Sequence, residues 1–187
     1  MGKLIVSEFV SIDGVMEAPG GEEGYKHSGW VFDFSDKKQE EYKLKETLDA
    51  EVLLLGRVTY EGFADAWPER EGEFADKMNS MPKHVASTTL SDLEWENSTL
   101  ISDDIPGAVS KLKGDTDGPV LVAGSQTLVH TLVENDLVDE FRIMVFPVVL
   151  GSGRRLFDDL PDKTVLKLAD TKTFDSGVTV LTYERAG

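Results

Sequence analysis

The chain has 187 residues, of which 40% are hydrophobic, so it is long enough for a single domain, residues 1–187, that buries a substantial core. Its formal net charge of −16 argues against nucleic acids and anionic membranes as partners, because both bind basic surfaces. The absence of cysteine excludes disulfides, thiolate metal sites and cysteine nucleophiles, and it is typical of the reducing cytoplasm, where we expect this protein.

The first segment, Lys3–Val10, predicts a buried strand, and its apolar run is too short for a signal peptide or a membrane span. It continues into Ser11-Ile12-Asp13-Gly14-Val15, and residues 17–29 then predict a long loop because they are rich in glycine and acid. Long ordered loops are usually functional or mobile, so Asp13 either faces a ligand or caps the turn.

A helix is predicted from Ser35-Asp36 to Leu48, since capping residues come first and good helix formers follow. Leu44 and Leu48 mark its buried side, and Glu40 and Glu41 lie near that edge, about one turn before Leu44. Either one of these two carboxylates borders a pocket, or both belong to a solvated, charged helix face.

The second buried strand, Glu51–Leu55, ends at Gly56-Arg57, where another helix is predicted to begin. A cation at a helix start opposes the helix dipole unless an anion also lies there. Arg57 and Thr59 are therefore candidates for binding a phosphate. The charged stretch 69–79 is predicted to be exposed, either helical or irregular.

Two short strands and a helix come next in the chain. Lys83–Ser87 is the third predicted strand, and Thr88 follows it with a hydroxyl that suits either phosphate binding or a turn cap. Asn97–Ile101 is the fourth strand, and Asp104–Leu112 is a short helix with Pro106 in its first turn.

Val120–Leu132 combines an uninterrupted apolar strand, a Gly124-Ser125 turn and a helix with apolar residues at helical spacing. Gly124 permits a close backbone approach, while Ser125, Gln126 and Thr127 lie where a helix N-terminus offers free N–H groups and partial positive charge. The segment predicts an anion site, although a turn glycine followed by a capping serine accounts for the same residues. The dinucleotide fingerprint G-x-G-x-x-G is absent.

Phe141–Leu150 is the longest predicted strand, with Pro147 expected to cause either a bulge or a local break in pairing. It leads into a basic glycine loop that contains Arg154 and Arg155. There are three alternatives for these arginines: they bind a substrate phosphate, they lie at a subunit contact, or they face solvent. The segment 164–184 predicts an antiparallel hairpin. The whole pattern therefore predicts an α/β mixed sheet.

Carboxylates are absent from three stretches of this acidic chain, 52–60, 81–90 and 119–133, and from a fourth, 141–157, which holds three arginines. A protein of net negative charge must keep carboxylates out of loops that bind a polyanion, so these stretches are the candidate binding loops. Buried strands also lack charge, which accounts for part of the pattern.

Four ordered motifs resemble the dihydrofolate reductase-like family, and more closely its branch related to the reductase domain of bacterial riboflavin biosynthesis. They are SIDGV at 11–15, LLLGRVTYE at 53–61, VAGSQTL at 122–128 and VDEFRIMVFPVVLGSGRRLF at 138–157. The resemblance implies a dihydrofolate reductase-like three-layer α/β fold. In that fold a mixed, mostly parallel central sheet has helices on both faces and a C-terminal antiparallel hairpin.

The resemblance also implies NADPH as the cofactor, bound across the strand ends. Residues 56–59 match the segment that holds the cofactor phosphates, 87–88 the segment near the adenosine 2′-phosphate, and 124–127 the turn around the pyrophosphate. Residues 12–14 correspond to the loop that closes over the nicotinamide. The cofactor-binding residues implied in this way are Ile12, Gly14, Gly56, Arg57, Thr59, Ser87, Thr88, Gly124, Ser125, Gln126 and Thr127.

The leading hypothesis is an NADPH-dependent reductase that transfers a hydride to a C=N or C=O group of a small heterocyclic or ribosylaminopyrimidine-like substrate. Asp13 and Glu40 are the candidate catalytic acids, since a carboxyl in a partly apolar cleft has a raised pKa. Glu40 also matches, by counting back from Gly56, the carboxylate with which dihydrofolate reductases bind the pteridine. No metal is implied.

The alternative hypothesis is a nucleotide-binding or regulatory protein that kept this fold and lost the chemistry. For either function, the resemblance implies a homodimer, and Phe141–Leu150 with the loop that follows it is the expected contact.

Overall fold

The computed structural model describes residues 1–186, which form five α-helices around a single sheet of eight strands. A short 3-10 helix, Trp30–Phe34, lies in the long loop after the first strand. The helices are α1 (Lys37–Asp49), α2 (Arg57–Ala66), α3 (Glu73–Ser80), α4 (Ile105–Asp115) and α5 (Gln126–Glu134). The strands are β1 (Leu4–Ser11), β2 (Val52–Gly56), β3 (Lys83–Ala86), β4 (Ser98–Ile101), β5 (Val120–Val122), β6 (Glu140–Phe146), β7 (Leu166–Thr173) and β8 (Thr179–Arg185).

The strand order across the sheet is β4-β3-β2-β5-β1-β6-β8-β7. The six strands from β4 to β6 are parallel, and β8 and β7 add an antiparallel hairpin at one edge. Successive β1 residues such as Leu4 and Ile5 point into two different cores, one shared with α4 and α5 and the other with α2 and α3. Helices therefore cover both faces, which confirms the predicted mixed, mostly parallel sheet with a C-terminal hairpin.

The strand order reverses at β5, which the chain inserts between β2 and β1 after it has built β3 and β4. Pairing of β1 with β5 stops at Val6, whereas its pairing with β6 continues to Ser11. The end of β1 is consequently unaccompanied on its β5 side. In parallel sheets such a reversal leaves a crevice outside the carboxyl ends of the strands, where ligands bind.

The buried face of α1 is polar, so the prediction that Leu44 and Leu48 mark it is wrong. Leu48 is exposed, and the buried residues of α1 include Glu46. The Glu46 carboxylate accepts hydrogen bonds from Ser7 Oγ at 2.8 Å and from Arg142 Nη1 at 3.3 Å. Ser7 on β1 and Arg142 on β6 are in register, so this part of the sheet presents polar groups and α1 meets them with a carboxylate.

Two segments differ in part from the sequence-based prediction. The charged stretch 69–79, predicted to be exposed and either helical or irregular, contains the helix α3, whose Ala75 and Met78 are buried. The strand predicted to reach Leu150 ends at Phe146, and of the two alternatives for Pro147 the break in pairing is the one observed, because proline has no N–H to continue the ladder. Across residues 1–186, no helix combines the length and apolar character needed to cross a bilayer.

Lys83 on β3 is fully buried although it is charged. Its Nζ donates to the carbonyl oxygens of Met78 at 2.9 Å, Asn79 at 3.0 Å and Met81 at 2.8 Å, at the C-terminal end of α3. It also lies 4.3 Å from the centre of the Trp95 ring. A cation is favourable at a helix C-terminus, so Lys83 fastens α3 to the sheet.

Replacing Lys83 with methionine removes the donor and leaves three buried carbonyls without it. We expect Lys83→Met to lower the free energy of unfolding in urea by about 1–3 kcal/mol, the cost of unsatisfied buried acceptors. The matched control is Lys167→Met on the exposed face of β7, expected to change stability by less than about 0.5 kcal/mol. Equal effects of the two substitutions would contradict this role of Lys83.

Candidate functional site

Three turns at the carboxyl ends of neighbouring strands line one cavity of about 320 Å³. They follow β2, β3 and β5, which are adjacent in the sheet. Each turn comes from one of the three stretches without carboxylates, 52–60, 81–90 and 119–133. None of the twelve lining residues is acidic, and they are Gly56, Arg57, Val58, Ala86, Ser87, Thr88, Thr89, Ile105, Ser125, Thr127, Leu128 and Thr131.

Two helices begin at this cavity with N-termini that no side chain caps. Gly56 is the N-cap residue of α2 and Ser125 that of α5, and neither helix has a side-chain hydrogen bond at its cap. Ser125 therefore occupies the N-cap position, as the alternative interpretation expected, but its side chain makes no capping hydrogen bond. Uncapped helix N-termini present free N–H groups and partial positive charge, which suit a bound anion.

The first and third turns touch through their glycines. The Gly56 amide donates to the Gly124 carbonyl oxygen at 3.1 Å, and the Gly124–Ser125 peptide bond is cis. A β-carbon on Gly56 would overlap Ser125 Oγ, and one on Gly124, whose φ is 72°, would overlap Thr59 Oγ1. Only glycine at both positions lets the two helix starts lie this close.

Not every predicted cofactor residue lines the cavity. Thr59 packs its hydroxyl against Gly124, which makes it a support for the turn. The Gln126 amide donates to the Arg155 carbonyl oxygen and so is directed to the loop after β6. Ile12 is 63% exposed at the end of β1 and, like Gly14, is not among the lining residues.

Arg57 is the one cation among the lining residues, and it is already paired. Its Nη1 lies 3.0 Å from Glu61 Oε2, one turn further along α2, and both side chains are about half exposed. The pair offsets the unfavourable position of a cation at a helix start. A phosphate at this site would therefore compete with Glu61 for the guanidinium.

Asp13 does not have the properties of a catalytic acid. Its carboxylate accepts hydrogen bonds from Ser11 Oγ at 2.6 Å, Leu150 N at 3.1 Å and Gly151 N at 2.8 Å. These bonds, with that from Ser11 the largest, lower the pKa of Asp13 to about 2. Asp13 is ionised at neutral pH and anchors the loop after β1 to the loop after β6, which corrects its assignment as a proton donor.

Glu40 is also not in an apolar cleft. It is exposed in the first turn of α1, where its Oε1 accepts a hydrogen bond from Ser35 Oγ at 3.2 Å. Of the two interpretations of Glu40, the solvated helix face is therefore the one observed, because the inward positions of α1 are taken by Gln39, Glu46 and Thr47.

The carboxyl group that is buried and has a raised pKa is that of Glu8, which was not predicted from the sequence. Glu8 is 7% exposed on β1, and its Oε1 accepts a hydrogen bond from the Gly124 amide at 2.5 Å. Burial raises the pKa of Glu8 to about 8, and this effect outweighs the opposing bond from Gly124. The available signal was a lone carboxylate inside the apolar run Leu4–Val10.

The basic glycine loop packs against the loop after β1. Arg155 Nε donates to the Asp13 carbonyl oxygen at 3.0 Å, and the Arg154 amide donates to Glu17 Oε2 at 2.7 Å, while both arginine side chains remain exposed. Among residues 1–186, no group of three His, Asp or Glu side chains is placed to hold a metal ion.

Two solved structures share this fold across nearly the whole chain. A protein of Shewanella sp. PV-4, provisionally assigned to riboflavin biosynthesis, superposes with a TM-score of 0.78 at 19% identity and covers 99% of both chains. A pyrimidine reductase-like protein of Corynebacterium diphtheriae superposes with a TM-score of 0.72 at 10% identity, covering 100% of this chain and 92% of its own. These likenesses show a dihydrofolate reductase-like fold.

Sequence comparison shows the family. The uncharacterized protein YwjB of Bacillus subtilis is 31% identical over 185 residues, which cover 98% of each chain. Residues 2–180 match the model of the RibD C-terminal domain, a reductase domain of riboflavin biosynthesis. With its motifs, fold and sequence in agreement, the chain belongs to the RibD C-terminal domain family.

Proposed function

We propose that this protein is an NADPH-dependent reductase that transfers a hydride to a C=N or C=O group of a small heterocyclic, ribosylaminopyrimidine-like substrate. The observation that carries the proposal is the cavity without carboxylates at two uncapped helix N-termini, in a chain of net charge −16. The ligand suited to such a site is a polyanion with an apolar part, as a dinucleotide is. Membership of a reductase family supports the same reading.

The residues present fit a dinucleotide. The starts of α2 and α5 offer N–H groups to its phosphates, and the hydroxyls of Ser87, Thr88 and Thr89 offer hydrogen bonds on the β3 side of the cavity. When bound, NADPH supplies the hydride that reduces the substrate. The chain's own part is to bind and orient the cofactor and to keep carboxylates away from its phosphates.

A nucleotide-binding or regulatory protein on the same fold is the second candidate. One observation favours it: of the carboxyls assigned as acids, Asp13 is held ionised by its hydrogen bonds and Glu40 is exposed to solvent. A reductase of this architecture would then draw its proton from water or from another group.

We also propose a cytoplasmic homodimer whose contact includes the loop after β6. Phe141 and Phe146 on β6 are 2% and 0% exposed inside the sheet, so β6 itself is not available to a partner. The loop that follows remains accessible, with Val149 at 67% exposure. Sedimentation at several protein concentrations tests this proposal, and a chain that stays monomeric throughout would contradict it.

The reductase proposal is tested by oxidation of NADPH in the presence of the ribosylaminopyrimidine or of dihydrofolate. We expect saturable loss of NADPH absorbance with the ribosylaminopyrimidine. Glu40→Gln should retain the wild-type rate because its carboxylate is exposed. Saturable NADPH binding without oxidation of either substrate would favour the regulatory alternative, and absence of binding would contradict both functions.

Arg57 and Glu61 form a matched pair of variants with opposite expected effects. Arg57→Gln should weaken NADPH binding by roughly 1–2 kcal/mol, below the full value of a charge-assisted hydrogen bond because the guanidinium is half exposed and shared. Glu61→Gln releases the guanidinium and should strengthen binding. Fluorescence titration measures both, and a similar loss in the two variants would contradict a phosphate contact at Arg57.

The contact between the two glycine turns can be tested by adding a methyl group that separates them and then removing the side chain with which that methyl group clashes. The backbone of Gly56, with φ −81° and ψ 164°, tolerates alanine, but the added methyl would overlap Ser125 Oγ. Gly56→Ala should therefore separate the turns and lower NADPH affinity. Gly56→Ala with Ser125→Gly should recover much of that affinity, whereas wild-type binding by the single variant would contradict the geometry.

A further inference from the structure

Glu8 is joined to the wall of the cavity by one hydrogen bond. It lies on β1 just beyond Val6, the last residue paired with β5, so its side chain is beside the turn in which β5 ends. Its Oε1 accepts from the Gly124 amide at 2.5 Å, and Gly124 in turn packs against Thr59 at the start of α2. A change at Glu8 therefore acts directly on the contact between the two turns.

The second carboxyl oxygen of Glu8 has no hydrogen-bond partner within residues 1–186, although the side chain is only 7% exposed. Ser98 Oγ is the sole side-chain oxygen or nitrogen in this part of the chain that is fully buried without a partner. The free oxygen of Glu8 thus keeps some access to solvent. In a neutral carboxyl group, one oxygen accepts hydrogen bonds and the other carries the proton. The two oxygens of Glu8 are in environments that suit these two roles.

No cation in the described chain is hydrogen-bonded to Glu8. Ile143 is its register partner on β6, and the Nε2 of His130 on α5 is bonded to the Leu156 carbonyl oxygen. From α1, on the opposite face of the sheet, Lys43 and Glu46 act on Glu8 in opposite directions and are paired with each other at 2.5 Å.

Other charged groups near these elements are also engaged or distant. Arg155 in the loop after β6 donates to the Asp13 carbonyl oxygen, and Glu134 is exposed at the far end of α5. Burial is therefore the main influence on Glu8, and it raises the pKa of this carboxyl to about 8. Glu8 holds its proton at neutral pH.

We infer that Glu8 is a positioning residue that couples binding of the anionic nucleotide to uptake of a proton. The inference rests on the proposed function. The neutral carboxyl holds the Gly124-Ser125 turn against the start of α2 without adding charge. The ionised carboxyl would place a negative charge behind the turn that faces the phosphates, in a region of low dielectric. Because the bound nucleotide disfavours ionisation of Glu8, ionisation of Glu8 must in turn weaken binding of the nucleotide by the same free energy.

The coupling is measured by titrating NADPH into the protein between about pH 7.5 and about pH 9. We expect the dissociation constant of the wild type to rise by about five- to tenfold over this interval, as one proton becomes necessary for binding. Glu8→Gln, which keeps the hydrogen bond and cannot ionise, should bind with nearly constant affinity. Glu134→Gln, which removes an exposed carboxylate from α5, should follow the wild type.

A second measurement needs no variant. Calorimetry of NADPH binding near pH 8, in two buffers of different ionisation enthalpy, should show uptake of about half a proton by the wild type. Saturable binding with no proton uptake, or with equal pH dependence in wild type and Glu8→Gln, would overturn the role of Glu8 and leave the reductase proposal standing. Absence of saturable binding at every pH would overturn the proposed function, and this inference with it.

Discussion

The close approach of two glycine turns is the contact on which the arrangement of the site depends. Gly56 begins α2 and Gly124 precedes α5, and each lacks the β-carbon that would keep the other turn away. Because these turns touch, the N-termini of two helices from different faces of the sheet open into one cavity. No side chain caps either helix, so the first N–H groups of both helices remain available to a ligand.

The second feature of this cavity is that no carboxylate lines it. A chain with 35 acidic residues and 19 lysines and arginines repels anions over most of its surface. Around the cavity the carboxylates are missing, and the nearest one along α2, Glu61, is neutralised by its pairing with Arg57. The anion site that we propose would therefore depend on the absence of repulsion more than on an excess of cations, and six of its lining side chains carry hydroxyls.

The buried carboxyl groups of Glu46 and Glu8 differ in their protonation at neutral pH. Glu46, on the buried face of α1, is paired with Lys43 and Arg142, so it remains charged as part of a structural network. Glu8, on the other face of the sheet, has only the Gly124 amide and keeps its proton instead. The difference follows from position: Glu46 is in a region where sheet and helix both present polar groups, whereas Glu8 is in the crevice left where β5 ends.

The sequence by itself determined the order of strands and helices, the mixed sheet, the hairpin and the three turns at the site. Those features depend on local patterns such as apolar runs, glycine turns and missing carboxylates, which remain readable before folding. Only the tertiary structure decided which side chains are buried and bonded. The bond from Ser11 has the largest effect on the Asp13 carboxylate, but Leu150 and Gly151, far along the chain, also donate to it and anchor it. Glu8 became a protonated carboxyl because β5 stops beside it. A pKa depends on groups that come together only in the folded chain, and no periodicity in the sequence specifies that.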